Sequence, residues 1–101
     1  MQEKTLERKL REAVKKLGGR ALKFSSPYYT GMPDRLILLP GGKVCFAEIK
    51  TTGKKLNDRQ EAVLADLQKM GFLVTVIDDQ PSLDWFLMKL KEVMPDEVHT
   101  L

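Results

Sequence analysis

Asp34, Glu48 and Lys50 are the residues of this sequence whose types and spacing could do chemistry together. Asp34 closes the run Gly31-Met32-Pro33-Asp34 ahead of one strand-like stretch, and Glu48-Ile49-Lys50 ends the next. Two carboxylates converging on a hairpin suit a hard divalent cation such as Mg2+, which takes one or two carboxylates from a protein and keeps several waters. A cation held there can polarise a phosphodiester and activate a water for in-line attack. Side chains alternate along a strand, so Lys50 projects from the same face as Glu48. Its amine could orient the water or stabilise charge on the phosphate. An isolated Glu-x-Lys is more often an ordinary exposed pair. The weight comes from its combination with Pro33-Asp34 one strand earlier and with Gln60 near the start of the helix that follows.

Register decides whether these groups meet, because hairpin loop length fixes which residues lie opposite one another. If Gly41-Gly42 alone form the turn, Asp34 faces Ile49. If Pro40-Gly41-Gly42 form a longer loop with a bulge, Asp34 faces Glu48. The chemistry requires the second register, or an equivalent bulge near Asp34.

The elements that must position the trio follow from periodicity. Leu6, Leu10, Ala13, Val14 and Leu17 recur at helical spacing over the first seventeen residues, and Gly18-Gly19 stops the helix. Arg20 to Ser25 reads as a short strand, followed by a loop rich in turn residues from Ser26 to Pro33. Asp34 to Pro40 and Lys43 to Lys50 form the hairpin. Asn57 and Gln60 have the spacing of a capping box, and the helix they open carries Val63, Leu64, Leu67 and Met70 on one face up to Gly71. The apolar run Phe72 to Ile77 predicts an interior strand. After a turn over Asp78-Asp79-Gln80-Pro81, Ser82 is the expected cap of a last helix, which Pro95 ends ahead of a frayed tail. The predicted order is αβββαβα, an α/β fold in one domain spanning 1–101.

Composition sets the frame. The 101 residues are 43% apolar, enough for one modest core, and a domain this small often gains from association. A net charge of +3 permits nucleic acid without requiring it. The single cysteine, Cys45, cannot form an internal disulfide, no secretory leader opens the sequence, and no apolar run approaches the roughly 20 residues that cross a bilayer. These features predict a soluble cytoplasmic protein with no membrane partner.

The sequence resembles the virus-type replication-repair nuclease (VRR-NUC) domain of the PD-(D/E)XK nuclease superfamily, in its free-standing phage or bacterial form. The resemblance runs from the first helix through Gly18-Gly19, Lys23, Gly31-Met32-Pro33-Asp34-Arg35, Gly41-Gly42, Phe46-Ala47-Glu48-Ile49-Lys50, Gln60 and Leu67 to Gly71-Phe72-Leu73-Val74-Thr75-Val76-Ile77-Asp78. It implies a restriction-endonuclease-like αβββαβ core, a mixed sheet flanked by helices, here with a C-terminal helix added. It also implies phosphodiester hydrolysis with Mg2+ or Mn2+, with Asp34 and Glu48 as metal ligands, Ile49 counted beside them, and Lys50 as the catalytic lysine. Such small proteins are similar in compact dimeric design to Holliday junction resolvases. A DNA repair endonuclease, homodimeric and acting on branched DNA in a bacterial or phage-infected cell, is therefore the expectation. Flap recognition by the extra domains of larger relatives does not carry over.

The family often adds a glutamate from the first helix. Glu12 points away from the apolar stripe while Glu3 and Glu7 flank it, and Glu7, further inside the helix, is the preferred candidate. Gln60 lies beside the buried face of its helix, where it could reach the site or a phosphate as well as complete the capping box. Lys23, Arg35, Lys54, Lys55 and Arg59 are candidates for phosphate contact; a solvated charged face is the default reading, but Lys54 and Lys55, in the loop between the catalytic strand and the following helix, favour phosphate contact. Tyr28 and Tyr29 could stack on unpaired bases, with packing over the loop favoured. Cys45 alternates away from Glu48 and Lys50 and reads as core. His99, the only histidine, sits in the tail, so histidine acid-base catalysis and a zinc site lack parts. The apolar surface of the last helix, with Trp85, Phe86 and Met88, exceeds one core stripe and is a candidate dimer face. The alternative function is a DNA-binding or accessory module of the same fold with little or no catalysis.

Overall fold

A computed structural model describes residues 1–95; the tail with His99 lies outside them. The elements are α1 (Glu3–Lys16), β1 (Arg20–Lys23), β2 (Arg35–Leu39), β3 (Lys43–Ile49), α2 (Asp58–Lys69), β4 (Val74–Ile77) and α3 (Gln80–Val93). They form one four-stranded sheet in the order β1-β2-β3-β4, antiparallel except for the parallel pair β3 and β4. The α/β order expected from periodicity is the order observed.

Apolar alternation divides the core between the two faces of the sheet. Ile37, Leu39, Cys45, Ala47, Ile49 and Ile77 point to one side, where Leu6, Leu10 and Val14 of α1 and Leu83, Phe86 and Leu90 of α3 cover them. On the other side Phe46 and Val74 pack under Val63, Leu64 and Leu67 of α2. Cys45 is thus in the core, as its alternation from Glu48 predicts. Among the described residues, the face that carries α2 is only half covered. Leu38 and Val44, cross-strand partners on the β2–β3 hairpin, stay exposed, as does Leu22 on β1.

Two expectations change. The run ending at Ile77 forms an edge strand: β4 pairs with β3 alone, and its apolar character reflects helices on both faces, not a central place in the sheet. The last helix is capped by Asp79, whose side chain accepts the Ser82 main-chain N–H at 2.8 Å while the Ser82 hydroxyl returns to the Asp79 N–H at 3.2 Å. Pro81 falls in the first turn, where its missing N–H has no helical partner to lose. The helix therefore starts earlier than the turn-like Asp-Asp-Gln-Pro composition suggests. At α2 the reciprocal capping box of Asn57 and Gln60 forms as read. Phe86 is fully buried in α3, while Trp85 and Met88 are half exposed.

Candidate active site

The β2–β3 hairpin pairs Leu39 with Lys43 and Arg35 with Ala47. Gly41 and Gly42, both at positive φ that glycine alone adopts freely, form its loop together with Pro40. One step beyond the last pair, this register sets Asp34 across from Glu48. Their polar groups cross between the strands. The Asp34 N–H donates to Glu48 Oε1 at 3.1 Å, and the Ile49 N–H donates to Asp34 Oδ1 at 3.0 Å. Lys50 Nζ lies 3.5 Å from Glu48 Oε2, completing the trio. Ile49, with an apolar side chain buried in the core, can offer a cation only its main-chain oxygen.

The approach to Asp34 is fixed by packing. Gly31 lies at positive φ against α2, where an added Cβ would come within 2.8 Å of Arg59 Cγ. Pro33 is fully buried, and the Asp34 carbonyl accepts the Phe24 N–H at 2.9 Å. The Gly-Met-Pro-Asp run is thus a rigid entry into β2 that leaves Asp34 little freedom.

Electrostatics set the two carboxylates against each other. Burial pushes the Asp34 carboxyl up, opposed by its hydrogen bond from the Ile49 N–H and by Arg35. Burial, then the neighbouring Asp34 charge, pushes Glu48 up, opposed by Lys50. Two partly desolvated carboxylates facing each other favour a shared positive charge. All the side-chain donors are hard oxygens, and among the described residues no group of three or more His, Cys, Asp and Glu side chains gathers. That set fits Mg2+ or Mn2+, which accept one or two carboxylates with waters, and does not fit a structural zinc site.

Around this pair the candidates separate. Glu3, Lys23, Phe24, Ser25, Asp34 and Arg35 line an open recess of about 430 Å³. Glu3 is the first-helix glutamate at the recess, and its Oε1 accepts the Thr51 N–H at 3.3 Å, one residue past Lys50. Glu7, preferred from the helical wheel, instead faces Arg35 and Arg11, at 3.5 and 3.0 Å. The wheel could not separate them because both flank the same stripe. The signal lay in where the helix begins: α1 is already formed at Glu3. Arg35, the first of the alternating inward positions on β2, is buried where a solvated charge is expected, and it lines the recess from within.

Lys23 lies at the rim of the recess, and Lys54 and Lys55 are exposed in the loop after β3. Arg59 is exposed but engaged: its Nε donates to the Thr30 carbonyl at 2.9 Å, and its guanidinium lies 4.9 Å from the Tyr29 ring centre. Tyr29 lies against α2, with Arg59 over its ring and its hydroxyl 3.5 Å from Asp66 Oδ2, while Tyr28 is fully exposed. The Gln60 side-chain oxygen accepts the Asn57 N–H at 3.0 Å, and its amide nitrogen has no partner among the described residues. A second recess of about 450 Å³ lies between α1 and β1, lined by Arg11, Glu12, Lys15 and Arg20. It holds no facing carboxylate pair, so size alone does not locate the chemistry.

A mixed sheet flanked by helices, with a hairpin that joins two carboxylates beside a lysine, is the restriction-endonuclease-like arrangement of a nuclease. Residues 1–80 match the model of the VRR-NUC domain. The chain is 42% identical over 80 residues to "Putative nuclease p44" of Acyrthosiphon pisum secondary endosymbiont phage 1, covering 79% of this chain and 86% of that protein. It is also similar to a solved VRR-NUC domain, with a TM-score of 0.76 and 29% identity over 92% of this chain and 97% of the other. The chain belongs to the VRR-NUC family of nuclease domains.

Proposed function

We propose that this chain is a Mg2+- or Mn2+-dependent DNA endonuclease that selects branched DNA, such as Holliday junctions, and acts as a homodimer in the cytoplasm of a bacterial or phage-infected cell. The crossed hydrogen bonds of Asp34 and Glu48, with Lys50 beside them, carry this reading. Asp34 and Glu48 would hold the cation, Ile49 adding its carbonyl, with Glu3 of α1 lining the recess beside Asp34. When bound, the cation would neutralise phosphate charge and activate a water for attack on phosphorus. The Lys50 amine, 3.5 Å from Glu48 Oε2, would orient the attacking water and stabilise negative charge on the phosphate. Gln60 has its amide nitrogen left for a phosphate oxygen. Lys23, Lys54 and Lys55 hold the flanking backbone, where neutralised phosphates make binding salt-dependent.

A dimer would place two such sites on two strands. The uncovered half of the sheet, with Leu22, Leu38 and Val44, is the surface we propose for it, since a two-fold interface joins one patch to itself. Among the described residues no helix is long and apolar enough to cross a membrane. The test of substrate choice is cleavage of labelled four-way junction, flap and plain duplex DNA in Mg2+, Mn2+ or EDTA. Paired, symmetric incisions in the junction support the proposal. Equal cutting of all three removes the branched-DNA element, and cutting in EDTA removes the metal.

A further inference from the structure

Arg35 occupies a position where the pattern of β2 calls for an apolar side chain. It alternates with Ile37 and Leu39 toward α1 and is 9% exposed. A buried guanidinium is costly, and an apolar side chain of similar volume is often as stable in its place. Stability alone therefore does not account for it, and its contacts offer another reason. Arg35 Nη1 donates to the Asp34 carbonyl at 3.1 Å, and Nη2 lies 3.5 Å from Glu7 Oε2 on α1. Its Nε is buried with no partner among the described residues, so the side chain has accepted an incomplete hydrogen-bond set to span these two groups. Glu3, one turn before Glu7, enters the recess beside Asp34 and accepts the Thr51 N–H. The helix is thus tied to the hairpin on both sides of the carboxylate pair.

We propose that Arg35 is a positioning residue: by bridging the Asp34 carbonyl and Glu7, it ties α1 to the strand that carries Asp34 and so fixes the Asp34 carboxylate for a divalent cation, with Glu7 as its counter-ion and not a cation ligand. The inference rests on the divalent-cation reading of the site. Glu7 has a second effect. Without its charge, the buried guanidinium loses its salt-bridge partner, and its field opposes the entry of a cation beside Asp34. Loss of the bridge and loss of the counter-ion therefore weaken cation binding by different routes.

The test is calorimetric titration of Mn2+ into metal-free wild type, Arg35→Met, Arg35→Lys and Glu7→Gln, with thermal melts of each in EDTA. Supporting groups behind metal ligands typically change affinity by about 10–100-fold. Arg35→Met and Glu7→Gln are each expected to weaken Mn2+ binding by at least about tenfold while remaining folded. Arg35→Lys should recover part of the loss, since an ammonium reaches one of the two partners but not both. Unchanged Mn2+ affinity in folded Arg35→Met overturns the proposal, as does a fall in melting temperature with no change in affinity. If Arg35→Met does not fold, Glu7→Gln, which keeps an acceptor at position 7, decides by the same criterion. Wild type that binds no Mn2+ overturns the cation reading and this inference with it. Binding by wild type and variants alike overturns this inference alone.

Discussion

Asp34 and Glu48 are bound to each other's strands crosswise: the Asp34 main chain donates to the Glu48 carboxylate, and the Ile49 main chain donates to the Asp34 carboxylate. Each carboxylate is thus held in place by the other's strand before any cation arrives. The arrangement gives precise placement at the expense of bringing two negative charges together in a partly desolvated site.

That expense should be visible as a pH effect. Both groups are raised above their ordinary range, mainly by burial, so the fold favours their protonated forms. Their contribution to stability is present at acid pH and is lost as pH rises from the ordinary carboxyl range, roughly pH 4, through their raised values. Asp34→Asn keeps the acceptor oxygen for Ile49 and removes the charge. In EDTA at pH 7.5 the variant should melt a few degrees above wild type, with the gap closing toward pH 4, as followed by circular dichroism. A wild type that is the more stable at neutral pH would contradict the strain.

Helix α2 depends on its first turn. Asn57→Ala removes the side-chain acceptor for the Gln60 N–H and should cost about 1 kcal/mol. In a domain of this size that is about 4–8 °C of melting temperature. Gln60→Glu preserves the reciprocal bond and should melt near wild type. If Gln60→Glu nevertheless loses cleavage, its free amide nitrogen is needed at the phosphate, and thermal melts paired with cleavage rates separate the two roles.

The uncovered sheet face makes association testable. Leu38 is 38% exposed and Val44, its cross-strand partner, 37%. A charge at position 38 would be buried unpaired in a two-fold contact there. Light scattering should report a dimer for wild type and a monomer for Leu38→Lys, while Met88→Lys on α3 stays dimeric. The reverse pattern would move the interface to the last helix.

Burial pushes the Cys45 thiol up to about 11. Little thiolate exists at pH 8, and the sulfur is shielded by the core. A disulfide reagent should leave the native protein unlabelled for as long as it stays folded and label one thiol per chain in denaturant. Rapid labelling of the native state would mean that β3 opens.

Much of this could be read from local pattern. The helix periods, the Asn57–Gln60 cap and the hairpin are encoded within a few residues of each other, and the longer Pro40-Gly41-Gly42 loop was the register the chemistry required. What could not be read depends on groups distant in sequence. Nothing local distinguishes a strand that is apolar because it is central from one, like β4, that lies at an edge under helices on both faces. Arg35 reads as a surface cation until β2 is laid against α1 and Glu7 comes beside it. The choice between Glu3 and Glu7 likewise depends on where α1 meets the hairpin, which the helical wheel does not contain. Asp79 was hidden by Pro81, a residue that reads as a turn and here sits inside the first turn of α3.

The most direct test of the central claim is cleavage of a labelled four-way junction in Mn2+ by wild type, Asp34→Asn and Lys50→Ala, each shown to be folded. Wild type should cut, EDTA should stop it, and each substitution should slow it by at least about 100-fold. Cutting by both folded variants at the wild-type rate would contradict the assignment of the hairpin trio as the active site.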